Sequence, residues 1–181
     1  MQINITTNHK EFAKRLNSIQ KQYIPKAKVR SLNRTATTVR KEAVTKTYKD
    51  MGSTASAVRN RMSIVKATKN SLVSKIIATG KAFKLIHFKA RQTKKGVTST
   101  AWGKRKLYKG TFIAAVNGNK FVFTKRKEKN NQGRRKLKIL FGPAVSQTTA
   151  KENIKKAIEK LAFSVFKKEF RANLKYYLSR K

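Results

Sequence analysis

The order of polar and apolar residues divides the chain into a helical beginning, a strand-rich middle and a helical end. Residues 2–7, QINITT, alternate as a short strand does, and Asn8 with Glu11 three residues on has the form of a helix cap. The helix it opens is expected to run to about Tyr23, with Pro25 breaking or restarting it. Val29, Leu32, Ala36, Val39 and Ala43 then recur at spacings of three and four, which predicts a long amphipathic helix ending near Gly52. Ser53 or Thr54 can cap one further turn or two, through about Arg61.

From Ser63 the period falls to two, and SIVKATKNSLVSKIIATG reads as a hairpin with Thr68, Lys69 and Asn70 at its turn. Further strands are predicted at 97–102, 111–116 and 120–124, the last two joined by Asn117, Gly118 and Asn119; Asn-Gly is the strongest short-range hairpin signal in the chain. Phe141, Gly142 and Pro143 mark a turn after the last strand, because Pro143 cannot continue a ladder. From about Thr149 to Leu178 the apolar stripe Ile154, Ile158, Leu161, Val165, Phe166, Phe170, Leu174 and Tyr177 predicts a long helix. A face this broad requires a sheet or a neighbouring subunit to cover it. The sum is an α+β fold: N-terminal helices over 1–62, an antiparallel curved β-sheet over 63–141, and a long C-terminal helix over 149–178 packed on the sheet. With no internal repeat or linker, 1–181 is expected to form a single domain.

Charge changes this ordinary picture. Against 46 Lys and Arg stand 7 acids, a formal net charge of +39, where a small soluble domain usually carries about 2–8 in magnitude. Self-repulsion on that scale destabilises a compact monomer and calls for a partner dense in negative charge. Duplex DNA offers one charge per about 1.7 Å of axis; RNA, an anionic membrane or acidic protein surfaces also qualify. Residues 91–95 with 104–109, and 125–138 (KRKEKNNQGRRKLK), combine dense charge with few core residues, and are expected to be mobile loops in the free protein. Gly96 and Gly110 stand where strands would begin, so residues 91–109 are expected to project. Ordinary solvated faces mix signs, whereas here cations follow one another unopposed. Arg91, Lys94, Lys95, Lys104, Arg105, Lys106, Arg134, Arg135 and Lys136 are therefore the candidate phosphate contacts. Phe112, Phe121 and Phe123 have the spacing of core residues; Trp102 and Tyr108 are open to core packing or to stacking on bases.

Catalytic chemistry finds no support. The acids Glu11, Glu42, Asp50, Glu128, Glu152, Glu159 and Glu169 are scattered, whereas a two-metal nuclease needs clustered carboxylates. His9 and His87 have no neighbouring ligand set, and the absence of cysteine excludes disulfides and thiolate metal sites. We expect no enzyme, no cofactor, no metal and no small-molecule substrate. There is no recognition-helix or zinc-finger signature, so base-specific readout is not expected. The N-terminus has no apolar run fit for a signal peptide, and no stretch approaches the ~20 apolar residues of a membrane span; the expected product is made in the cytosol and stays soluble, with no membrane contact.

Four blocks read in order, LNRTATTVRKEA at 32–43, LIHFKARQTKKGVT at 85–98, GTFIAAVNGNKFVF at 110–123 and LKILFGPAVSQ at 137–147, resemble the prophage minor tail protein Z family of tailed bacteriophages. The resemblance spans about residues 30–147. Where the family commonly has a Gly-His turn with Gly close behind, this chain has Gly118, Asn119 and then Phe121. The resemblance implies a non-enzymatic virion protein of the neck or tail-completion type, assembled in the host cytoplasm. It further implies a homo-oligomer, with a hexameric ring as the expected form, around double-stranded DNA. Its neighbours would be the tail terminator or tail tube and the head-side connector. Six copies at +39 each far exceed the about 24 phosphate charges on about 40 Å of duplex, so much of the charge must face counterions or acidic neighbours. The alternative is a cytosolic RNA-binding protein of ribosomal type, whose basic loops order on RNA.

Overall fold

The structure is a computed structural model that describes residues 13, 14, 17, 19–129 and 131–179. The expected strand at 2–7, the Asn8 and Glu11 cap and His9 lie outside the described residues. The fold is α+β, as the sequence predicts. The chain forms two compact units, each assembled from separate stretches. One takes the described residues through Val39, residues 64–76 and the chain from Glu159; the other takes residues 40–63 and 77–158.

Helix α1 (Ile24–Met51) contributes to both units. A π-helical turn at Ile19–Tyr23 runs straight into it, so the chain does not break at Pro25. Pro25 is the second residue of α1 and has no N–H to bond back into the turn before it, and the crowding of its ring against that turn accounts for the turn being widened. In the first unit Ala27, Ser31, Thr35, Ala36 and Val39 are buried along α1. The C-terminal helix (Glu152–Ser179) supplies Asn173, whose Nδ2 donates to Ser31 Oγ (3.0 Å) and to the Glu169 carbonyl (2.8 Å). Asn33 holds the segment after the first strand as a strand partner would. Its Nδ2 donates to the Ala67 carbonyl (3.0 Å), and its Oδ1 accepts from the Ala67 N–H (2.7 Å). The turn expected at Thr68 to Asn70 closes through Thr68 N–H to the Ser71 carbonyl (2.9 Å).

In the second unit α1 ends at Met51, and Gly52 takes the left-handed conformation (φ +70°) that closes many helices. Thr54 caps α2 (Ala55–Arg59), its hydroxyl accepting from the Ala57 N–H at 3.3 Å. Strands β1 (Met62–Val65) and β2 (Lys75–Ala78) pair as a two-stranded sheet. Two antiparallel three-stranded sheets follow: β3 (Arg91–Thr93), β4 (Gly96–Ser99) and β5 (Lys106–Lys109), then β6 (Thr111–Val116), β7 (Asn119–Lys129) and β8 (Arg135–Ile139). The strands of residues 63–141 are thus divided among three small sheets. Asn117 (φ 49°) and Gly118 (φ 75°) make the tight β6–β7 turn that the sequence predicts.

Two expectations fail here. The segments 91–95, 104–109 and 125–138, read as mobile loops, contain all or most of β3, β5, β8 and the outer half of β7. A strand needs only one covered face and a partner, and Val97, Tyr108, Phe123 and Ile139 provide apolar neighbours to otherwise cationic strands. The strand expected at 97–102 stops at Ser99, because Thr100 turns away from the ladder: its N–H and hydroxyl both donate to the Phe88 carbonyl (2.8 and 2.9 Å). Trp102 then sits in a 3₁₀ turn with φ +63°.

The core of this unit gathers Val44, Met51, Val58 and Met62 with Phe83, Leu85, Phe88, Val97, Val122 and Val145. Each fully buried side chain of this size contributes about 1.5–3 kcal/mol. Phe83 and Phe88 meet edge to face, with ring centres 6.2 Å apart. Gly142 lies against the Phe88 ring, and a Cβ there would overlap it. After the Pro143 turn come α3 (Val145–Thr149) and α4 (Glu152–Ser179). Ile154 of α4 is buried and Ile158 packs on this core.

Candidate nucleic-acid interface

The β3–β4–β5 sheet sorts its residues by pleat. Val97 and Ser99 are fully buried, so the other face of β4, carrying Thr98, points outward. Thr98 pairs with Arg91 on one side and Leu107 on the other, and Gly96 pairs with Lys109. Arg105 returns to this face: Nη1 donates to Thr98 Oγ1 (3.0 Å) and Nη2 to the Lys89 carbonyl (3.3 Å). Lys94 and Lys95 form the β3–β4 turn, which Thr93 Oγ1 closes by donating to the Gly96 carbonyl (2.7 Å). Lys104 stands at the root of β5. Lys106 pairs with Ser99 and so belongs to the opposite face, at an exposed end.

Several contacts fix where this cationic hairpin stands. The Thr100 hydroxyl lies 3.0 Å from the Gly52 carbonyl as well as 2.9 Å from that of Phe88, its one proton shared between them, and a Cβ on Gly103 would meet the Asp50 carbonyl at 2.9 Å, so the root of β5 is fitted closely to the end of α1. Gln92 Oε1 accepts from the Ile113 N–H (2.8 Å), and the Val97 N–H donates to Thr111 Oγ1 (3.1 Å), joining β3 and β4 to β6.

Arg134, Arg135 and Lys136 lie apart from these six, at the start of β8 on the other three-stranded sheet. There Thr124 pairs with Lys138, Lys125 with Leu137, and Lys129 with Arg135, with a register irregularity between Lys125 and Lys129. Like charges thus stand directly opposite at Lys129 and Arg135. The nearby Arg126–Glu128 contact, at 3.9 Å between exposed groups, offsets little of this. Lys125, Lys129 and Lys138 belong to the same ribbon and were missing from the sequence-based choice. Alternation of Lys125, Lys127 and Lys129 was the available signal, hidden because every position is polar. All nine chosen residues are exposed.

The aromatics divide. Phe123 is buried, with Phe112 and Phe121 each 5.9 Å from it between ring centres, and the Lys84 ammonium lies 4.1 Å above the Phe121 ring. Trp102 is 48% exposed, leaving its ring open to solvent. Tyr108 is half-buried; its hydroxyl lacks a partner, and burial raises its pKa. His87 stacks edge-on to Phe83 at 6.3 Å. Among the described residues, no three His, Asp or Glu side chains gather as a metal site, and no helix is long and apolar enough to cross a membrane. The arrangement presents guanidinium and ammonium donors on strands and turns, which suits phosphate oxygens rather than base edges.

The blocks shared with the tail family occupy defined places: the middle of α1, the core turn at Leu85–His87 with the β3–β4 turn, the β6–β7 hairpin, and the run from β8 into α3. Compared with known families, the sequence matches prophage minor tail protein Z (GPZ) over residues 9–181. The chain belongs to the prophage minor tail protein Z family. The match extends past the four blocks and through α4. Membership makes this chain a bacteriophage tail protein and a component of the virion. No curated protein and no solved structure matches this minor tail Z chain.

Proposed function

We propose that this minor tail Z protein is a neck or tail-completion component. Copies close a ring, six in number, at the head-proximal end of the tail, between the tail terminator or tail tube and the head-side connector. The ring surrounds double-stranded DNA and touches it without sequence specificity. It performs no catalysis: its work is to join and to hold.

The observation that carries DNA contact is the β7–β8 ribbon, where Lys129 and Arg135 pair across strands with no acid between them. Directly opposed like charges are destabilising, and a phosphate placed between them converts repulsion into two charge-assisted contacts. Arg91, Lys94, Lys95, Lys104, Arg105 and Lys106, with Arg134, Arg135 and Lys136, supply further contacts of the same kind. Release of the counterions condensed on DNA then drives binding.

The test is the native mass of the purified protein at low and high salt, with and without a short duplex of arbitrary sequence. The expected result is a closed oligomer that keeps its subunit count at high salt and loses DNA. A monomer that prefers structured RNA to duplex DNA and never joins tail proteins would overturn the reading in favour of the ribosomal one.

A further inference from the structure

We propose that the apolar groove between the first half of α1 and α4 is the seat of an acid-flanked apolar segment of a different tail protein. The inference rests on membership of the tail family and not on the ring or the DNA contact. The groove has a volume of about 420 Å³, and Leu32, Ala36, Ile76, Ala162, Phe163 and Phe166 line it. That size lies within the range of sites that enclose a ligand group. Leu32 and Ala36 on α1, with Phe163 and Phe166 on α4, present the spacing against which an amphipathic helix lays its anchors.

Three features of the groove identify what fills it. Phe163 is 73% exposed, more than any other large apolar side chain among the described residues. Thr35 also lines the groove and is only 7% exposed, yet its hydroxyl has no hydrogen-bond partner. Such a buried orphan costs free energy until a partner arrives, so the occupant brings a polar group as well as apolar side chains. Finally, the border is cationic. Lys160 and Lys167 stand three residues before and four after Phe163, on the same strip of α4, and Lys75 lies between Ser74 and Ile76 of the groove wall. Glu159 is the acid on that strip. A second copy of the chain, at +39, would bring further cations to this border, whereas an acidic segment complements it.

The test places the photo-crosslinker p-benzoylphenylalanine at position 163 in assembled tails, with position 116 of the β6–β7 hairpin as reference, and identifies the joined peptide by mass spectrometry. A peptide of another tail protein, with apolar residues at helical spacing and more Asp and Glu than Lys and Arg, is expected from position 163 and not from 116. A join to a second copy, to this chain's own residues, to DNA, or to nothing overturns the proposal. In parallel, Phe163→Glu and Phe163→Lys both remove the ring, but only Glu opposes an acidic occupant. Incorporation into tails is expected to fall about tenfold further for Phe163→Glu than for Phe163→Lys; equal losses, or the reverse order, exclude an acidic partner. Far-UV circular dichroism of both variants confirms folding, and wild-type incorporation reports tail membership separately.

Discussion

Lys129 and Arg135 stand opposite each other in the register of the β7–β8 ribbon, a like-charge pair across two antiparallel strands. A Lys129→Glu change turns this repulsion into a cross-strand ion pair, worth about 0.2–1 kcal/mol. The variant is therefore expected to melt at or above the wild-type temperature in low salt while binding duplex DNA more weakly. Differential scanning calorimetry and fluorescence anisotropy measure the two effects side by side. Equal DNA affinity in the variant would show that the ribbon does not touch phosphate.

Neutralising Arg134, Arg135 and Lys136 together to Gln tests the same ribbon by salt dependence. Each phosphate contact contributes about 0.9 to the slope of log K against log salt, so the triple variant is expected to reduce that slope by up to about 2.7 and weaken binding equally for all sequences. The matching triple change at Arg91, Lys94 and Lys95 does the same for the β3–β4 turn. A slope unchanged in one triple and reduced in the other decides which of the two cationic surfaces meets DNA.

The helices were legible in the sequence because Val29, Leu32, Ala36, Val39 and Ala43 keep one period, and the β6–β7 hairpin because Asn117-Gly118 dictates its turn. The cationic strands were not. In 125–129 and 134–136 every residue is polar, so the period of two leaves no hydrophobic trace; only pairing with Phe123, Leu137 and Ile139 reveals it. Trp102 was misplaced on a strand because its exit is set by distant partners, Thr100 reaching Gly52 and Phe88, which local patterning does not encode. The candidate phosphate contacts were legible as charge, and their division between two sheets was not. Of the groove's α4 residues only Phe166 belongs to the apolar stripe legible in the sequence; Phe163 lies off that stripe, and its place in the groove follows from the packing of α4 on α1.

Within the first unit, Asn173 is 3% exposed and spends its amide on Ser31 Oγ and the Glu169 carbonyl. Removing a donor from buried acceptors costs about 1–3 kcal/mol. Asn173→Ala is expected to lower stability by about 2 kcal/mol on that scale, and Asn173→Asp, which keeps the size but sets a buried carboxylate against these oxygens, by at least as much. Urea denaturation checks both, and a neutral Asn173→Asp would show that the amide donates nothing to this contact.

Tyr108 offers a test with a pH signature. Its hydroxyl is buried without a partner, and burial raises its pKa above the ordinary value near 10. Tyr108→Phe removes the orphan oxygen while keeping the ring, and is expected to stabilise the protein by about 1 kcal/mol at neutral pH. The sign of the alkaline effect follows from linkage. A phenol whose folded pKa lies above its unfolded one holds its proton more tightly when folded. Its contribution is complete below the unfolded pKa and is lost as pH rises through the folded one. The wild type should therefore lose stability faster than Tyr108→Phe above about pH 10, and the gap between their melting temperatures should widen there. A gap that is constant from neutral to alkaline pH would mean that the Tyr108 hydroxyl reaches water in solution.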